Sequence, residues 1–225
     1  MAGTLYLVST PIGNLEDLTF RALRVLKEAD FVACEDTRLT LKLLNRYELK
    51  KKLISFYEPR EGRRIPHLLN LLREGRSIAL VTDAGTPGIS DPGFRLVREA
   101  VREGVPVVPV PGPSAVTAAL AASGLPTHRF LFMGFAPPKA EALRKTLRSV
   151  AEEEGTVIFY LPARKIEAFL EALREIFADR PVVIAREMTK VFEEFLRGTP
   201  EELLESTRGR EFKGEATVLI HGAGK

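Results

Sequence analysis

Short apolar runs alternate with stretches in which apolar residues return every three or four positions, along the whole 225-residue chain. Leu5, Leu7 and Val8, then Phe31 to Ala33, Leu53 and Ile54, Ile78 to Val81, and Val105 to Val110 form the first set of runs. Their near-continuous apolarity predicts strands covered on both faces, as in a parallel sheet. Amphipathic helices are predicted between them. In one, Phe94, Val97 and Val101 supply the apolar stripe while Arg95, Arg98, Arg102 and Glu103 take the wet face. Gly75 and Gly104 stand where helices should stop.

The second half repeats the alternation with other spacings. Residues 130–133, 157–160, 182–184 and 216–220 read as strands. The clearest helix spans residues 164–177, where Ile166, Phe169, Leu170, Leu173, Ile176 and Phe177 share one face. Residues 191–197 alternate in part and predict an antiparallel strand, followed by a short helix capped at Thr199 with Pro200 in its first turn. The pattern is α/β throughout. Two α/β domains are expected, residues 1–115 and 116–225, joined near residues 112–124.

Composition narrows the class. No apolar run approaches the ~18 residues of a membrane span, and residues 4–10 are too short for a signal-peptide core. A lone Cys34 excludes an internal disulfide framework and fits the cytoplasm. Three scattered histidines offer no zinc spacing, so no metal is expected. The net charge of +3 sits in residues 1–124, with 17 basic and 14 acidic side chains. Residues 46–64 alone hold seven basic and three acidic groups, which suits either a solvated face or a polyanion such as RNA. The absence of glutamine and tryptophan beside abundant Glu and Arg suggests a heat-adapted source.

Candidate chemistry gathers where turn-forming residues follow predicted strands: residues 9–14, 82–93 and 109–115. In an open α/β sheet, ligands bind outside the carboxyl ends of the strands, and these loops belong there. Glycine admits close backbone approach, and proline stiffens the loop before a ligand arrives. No G-x-G-x-x-G opening a helix after the first strand, P-loop or G-x-S-x-G elbow is present, which disfavours a classical dinucleotide enzyme, a P-loop NTPase and a serine hydrolase. A further segment, Cys34–Glu35–Asp36–Thr37–Arg38, ends the second strand with two adjacent carboxylates. Either Thr37 caps the next helix with the carboxylates at its positive end, or the carboxylates do chemistry. Cys34 lacks a nearby base and reads as a buried thiol rather than a nucleophile.

Taken in order, these segments resemble the ribosomal RNA small subunit methyltransferase I family of the tetrapyrrole methylase superfamily. The carriers are Thr10–Pro11–Ile12–Gly13–Asn14–Leu15, Ala33–Cys34–Glu35–Asp36–Thr37–Arg38, the run 83–93, Pro111–Gly112–Pro113–Ser114–Ala115, the run 123–127, Arg186–Glu187–Met188–Thr189–Lys190 and Arg197–Gly198–Thr199. The resemblance implies two α/β domains with an S-adenosylmethionine cleft between them, a homodimer, and methylation of the ribose 2′-hydroxyl of a cytidine in the decoding region of small-subunit ribosomal RNA. It assigns the cofactor to Pro11, Asp83, Ala84, Gly85, Thr86, Ile89, Ser114 and Ala115, and more loosely to Tyr160, Leu161, Ala185, Glu215, Ala216 and Thr217. The chain departs from the family at Ser55–Phe56–Tyr57–Glu58, at 136–141 and at 159–164, which touches the RNA contacts rather than the methyltransferase core.

The methyl of a sulfonium cofactor is already activated, so transfer needs alignment and a base rather than a metal. Glu35 or Asp36 is expected to serve the 2′-hydroxyl, with Arg38 holding a flanking phosphate; Arg186, Glu187 and Lys190 form a competing set. Lys50, Lys51, Lys52, Arg60, Arg63 and Arg64, with Arg186 and Lys190, are the expected phosphate contacts, and Phe56 or Tyr57 a stacking platform. The alternatives are a methyltransferase of the same fold acting on a tetrapyrrole or a protein side chain, and a non-catalytic RNA-binding factor.

Overall fold

The computed structural model describes residues 2–224, with the side chains of Pro59 and Arg60 outside that description. The chain divides into two compact units, Met1–Ser114 and Ala115–Lys225.

In the first unit the order is β1 (Leu5–Val8), α1 (Phe20–Glu28), β2 (Phe31–Cys34), α2 (Thr37–Arg46), β3 (Lys52–Ser55), α3 (Glu58–Arg73), β4 (Ile78–Leu80), α4 (Phe94–Arg102) and β5 (Val107–Val110). The five strands pair in the order β3-β2-β4-β1-β5, all parallel. Both faces are covered, as the uniform apolarity of the runs predicts. Leu5, Ala33, Ile78 and Leu80 pack with Leu68 and Leu72 of α3 and Leu96 of α4. Val8, Val32, Ala79 and Val110 pack with Val25 and Leu26 of α1 and Leu44 of α2. The chain leaves β1 toward β2 and β4 toward β5, in opposite directions along the sheet. The junction of β1 and β4 is therefore the switch point at whose carboxyl edge ligands of such sheets bind.

One predicted face is corrected. Leu96 and Ala100 are the fully buried residues of α4, with Val97 half-buried, whereas Phe94 and Val101 are 66% and 61% exposed. Two stripes at helical spacing compete in this helix, and the larger side chains marked the wrong one. The Arg98 guanidinium lies 5.8 Å over the Phe94 ring and covers it from outside.

The second unit runs α5 (Ala115–Ser123), β6 (Phe130–Phe135), α6 (Ala140–Ser149), β7 (Thr156–Pro162), α7 (Ile166–Ile176), β8 (Val182–Arg186), β9 (Glu194–Gly198), α8 (Pro200–Thr207) and β10 (Glu215–Ile220). Its sheet order is β6-β7-β10-β8-β9; β6 and β7 are parallel and the other pairs antiparallel. The periodic face of α7 packs as predicted, with Ile166, Phe169, Leu170 and Leu173 in the core. The Thr199 cap is also present: its hydroxyl accepts from the Glu202 amide, and Glu202 returns a carboxylate to the Thr199 amide. The strand expected at 191–197 begins later, at Glu194, because Val191 and Phe192 project into solvent, 93% and 74% exposed.

Candidate active site

Three loops meet at the carboxyl edge of the first sheet. Thr10 and Gly85 exchange both backbone hydrogen bonds, at 2.8 and 3.0 Å, which pins the loop after β1 to the loop after β4. Gly85 holds this bridge at φ 86°, a left-handed conformation that a side chain would strain. The hydroxyls of Ser9 and Thr86 lie 3.0 Å apart, and Thr86 Oγ1 donates to the Pro113 carbonyl at 3.5 Å, tying in the loop after β5. The Thr10 hydroxyl donates to the Thr82 carbonyl at 3.0 Å. Pro11 is buried, Asp83 and Ala84 are exposed, Ile89 is 48% exposed and Ser114 and Ala115 are half-buried. The loops are locked to one another while their outer residues stay accessible, which is pre-organisation for a ligand.

The adjacent carboxylates of residues 35 and 36 have opposite environments. Asp36 is the N-cap of α2: its Oδ1 accepts from the Arg38 amide at 2.8 Å, and its carboxylate also takes both Nε and Nη2 of Arg38. The cap is thus Asp36, and Thr37 is the first helical residue, contrary to the expected Thr37 cap. Those bonds from Arg38 hold the Asp36 carboxyl down to about 2. Glu35 goes the other way. Burial, and then the charges of Asp83 and Asp91, push its carboxyl above the ordinary glutamate value. Glu35 therefore has the greater proton affinity, and Asp36 is committed to the helix and to Arg38.

Glu35 opens into a cavity of about 460 Å³ with Glu58, Glu61, Asp91 and Arg95 on its walls. Glu61 went unremarked in the sequence, although it lies four residues before Ile65 on the apolar face of α3, where a charge is out of place. It is 5% exposed, and its Oε1 accepts from the Gly93 amide at 3.3 Å. Gly93 sits at φ 139°, and a Cβ there would meet Leu80 Cδ2 at 3.0 Å. Glu61 thus anchors the end of the 82–93 loop to α3. Cys34 is fully buried, and burial raises its thiol pKa, which suits no nucleophile.

The expected RNA contacts separate into groups. Lys50, Lys52 and Arg63 are exposed and Arg64 half-buried; the Arg60 side chain lies outside the described residues. Lys51 is engaged elsewhere: its ammonium donates to the carbonyls of Lys27 and Ala29 at 2.6 and 2.7 Å, closing the C-terminal end of α1. Phe56 is 1% exposed and belongs to the core, so it offers no stacking surface; Tyr57 is half-buried. In the second unit, Arg186 pairs with Glu194 at 3.0 Å and lies 5.1 Å over the Phe212 ring, and Lys190 pairs with Glu187 at 3.1 Å. Neither is a free cation.

The loosely assigned cofactor residues of the second unit fall into register. Tyr160, Thr217 and Ala185 stand directly opposite one another on β7, β10 and β8, and Leu161, Ala216 and Arg186 form the next row. Successive residues of a strand face opposite ways, so the rows serve different faces. Leu161 and Ala216 point into the hydrophobic core, which leaves only their backbone for a ligand. Tyr160 makes edge-on contacts with Phe132 and Phe135, and Glu215 is exposed.

Residues 4–204 match the family described as Tetrapyrrole (Corrin/Porphyrin) Methylases. The chain belongs to the tetrapyrrole methylases. Among curated relatives, this tetrapyrrole methylase is 49% identical over 223 residues to a ribosomal RNA small subunit methyltransferase I of Halalkalibacterium halodurans, covering 99% of this chain and 77% of the relative. It is 47% identical over 220 residues to the protein of the same name from Thermotoga maritima, covering 98% and 99%. Its fold is similar to a uroporphyrin-III C-methyl transferase from Thermus thermophilus solved with S-adenyl homocysteine, at a TM-score of 0.65, 24% identity and 97% coverage of both chains.

Proposed function

We propose that the chain is an S-adenosylmethionine-dependent methyltransferase that modifies the ribose 2′-hydroxyl of a cytidine in the decoding region of small-subunit ribosomal RNA. The observation that carries this reading is the 47–49% identity to proteins named ribosomal RNA small subunit methyltransferase I over nearly the full length of this chain. The loops of the first unit fit the cofactor: the exposed Ala84 and the half-buried Thr86 are small, and Gly85 between them has no side chain to obstruct a ligand. When bound, the cofactor supplies a methyl group already activated for displacement.

The chain's own residues then have two tasks. The pinned loops hold the acceptor oxygen in line with the methyl carbon, and alignment of this kind is worth ~7–11 kcal/mol at best. Glu35 accepts the proton of the 2′-hydroxyl, a weak acid, which adds ~10²–10⁴-fold. Asp36 and Arg38 keep α2 and the Glu35 backbone in place rather than handling the proton.

Labelled S-adenosylmethionine, small subunits lacking the modification and free ribosomal RNA test the reading, with a porphyrinoid acceptor alongside. Label in RNA supports it. Label only in the porphyrinoid, with none in either RNA substrate, contradicts it.

A further inference from the structure

We propose that the pocket between the loop after β1 and helix α2 receives the base of the nucleotide being methylated, an unpaired pyrimidine turned out of its strand; this rests on the RNA reading above. The pocket lies wholly in the first unit, has a volume of about 230 Å³, and is walled by Pro11, Leu15, Leu39 and Leu43, with Lys42 and Thr82 also lining it. Sites for drug-sized ligands run to ~300–1,000 Å³, so this one suits a single small ring system rather than a peptide segment.

Its chemistry matches the two surfaces of a base. Leu15 and Leu39 are 39% and 43% exposed, so apolar walls face solvent where a flat ring would cover them. The Leu15 wall is fixed, because the Tyr47 hydroxyl donates to the Leu15 carbonyl at 2.5 Å and Asn14 caps the same turn. Polar groups line it as well: Thr10, Thr40 and Thr82, with Lys42 exposed for a phosphate and the Asp83 carboxylate able to accept from an exocyclic amine.

Position links the pocket to the reacting centre. Asp83, which lines the pocket, accepts from the Asp36 amide at 3.0 Å, and Asp36 directly follows Glu35, the carboxylate proposed as base. Specific RNA recognition works on bases splayed from the stack and held by side chains.

Filling the pocket from either wall tests this. Leu39→Trp and Leu15→Trp are compared with Leu41→Trp, an equally bulky change at an exposed α2 position that does not line the pocket. Methyl transfer to small subunits and calorimetric affinity for S-adenosylmethionine are both measured. The two filling variants should lose about 100-fold or more in kcat/KM for RNA, a misplacement penalty, while binding cofactor normally. Leu41→Trp should match the wild type. If one filling variant fails to fold, the other decides, and retained cofactor affinity reports folding. Wild-type activity on RNA with filling variants equal to Leu41→Trp overturns the pocket and leaves the RNA reading standing. Lost cofactor affinity in both filling variants also overturns it, since the pocket would then serve the cofactor. A wild type that transfers no methyl to RNA overturns the underlying reading and the pocket with it.

Discussion

The backbone amide of Asp36 donates to Oδ1 of Asp83 over 3.0 Å, joining the loop after β2 to the loop after β4. That bond holds the Asp83 charge near Glu35, where it is the second cause, after burial, of the raised Glu35 pKa. Asp83→Asn removes the charge and should lower the Glu35 pKa toward that of a free glutamate. Because the base works ionised, the acid limb of the pH–rate profile should then move to lower pH. Single-turnover rates between pH 4 and 8 would show it; an unmoved limb would mean that another group sets the profile.

Glu35→Gln should cut turnover ~10²–10⁴-fold with cofactor affinity unchanged. It should also raise the melting temperature at neutral pH. A carboxyl whose folded pKa is raised favours folding only as pH falls through that value, so above it the ionised group opposes folding. Calorimetry and scanning melts read both effects.

Asp36→Asn should behave differently. The low Asp36 pKa, about 2, means that its contribution to stability is present above the ordinary aspartate value and fades as pH falls toward about 2. Asparagine still caps the helix but loses the Arg38 ion pair, so the melt should fall slightly and turnover far less than in Glu35→Gln. Equal losses in the two variants would remove the distinction between the carboxylates.

Lys50→Glu, Lys52→Glu and Arg63→Glu together should weaken RNA binding and flatten its dependence on salt, since each phosphate contact adds about one to the slope. Lys51→Ala should leave the salt slope alone and lower the melting temperature, because its ammonium closes α1. Filter-binding titrations at several salt concentrations separate the two roles.

Gly85→Val should destabilise the first unit by roughly 1–2 kcal/mol through its left-handed φ and weaken cofactor binding with it. An unchanged melt and affinity would mean that the Thr10–Gly85 bridge is not needed.

Where burial dictated residue type, the fold was legible in the sequence. The parallel strands of the first unit are apolar on both faces, and the α7 stripe and the Thr199 cap leave unambiguous patterns. The α4 face misled because Phe94 and Val101 are large but lie outside, while the smaller Ala100 lies within. That the loops after β1, β4 and β5 gather at one sheet edge was legible from glycine and proline after strands. The raised proton affinity of Glu35 was not, because it depends on burial and then on Asp83 and Asp91, nearly fifty or more residues away in the chain. Lys51 illustrates the same limit. Its neighbours Lys50 and Lys52 look identical in sequence, and only the end of α1 distinguishes it.

The most direct test is alkaline hydrolysis of RNA methylated with labelled cofactor. A 2′-O-methyl group removes the hydroxyl that attacks the neighbouring phosphodiester, so the label should emerge in an alkali-resistant dinucleotide that begins with cytidine. Label released in ordinary mononucleotides would place the methyl on a base and contradict the account.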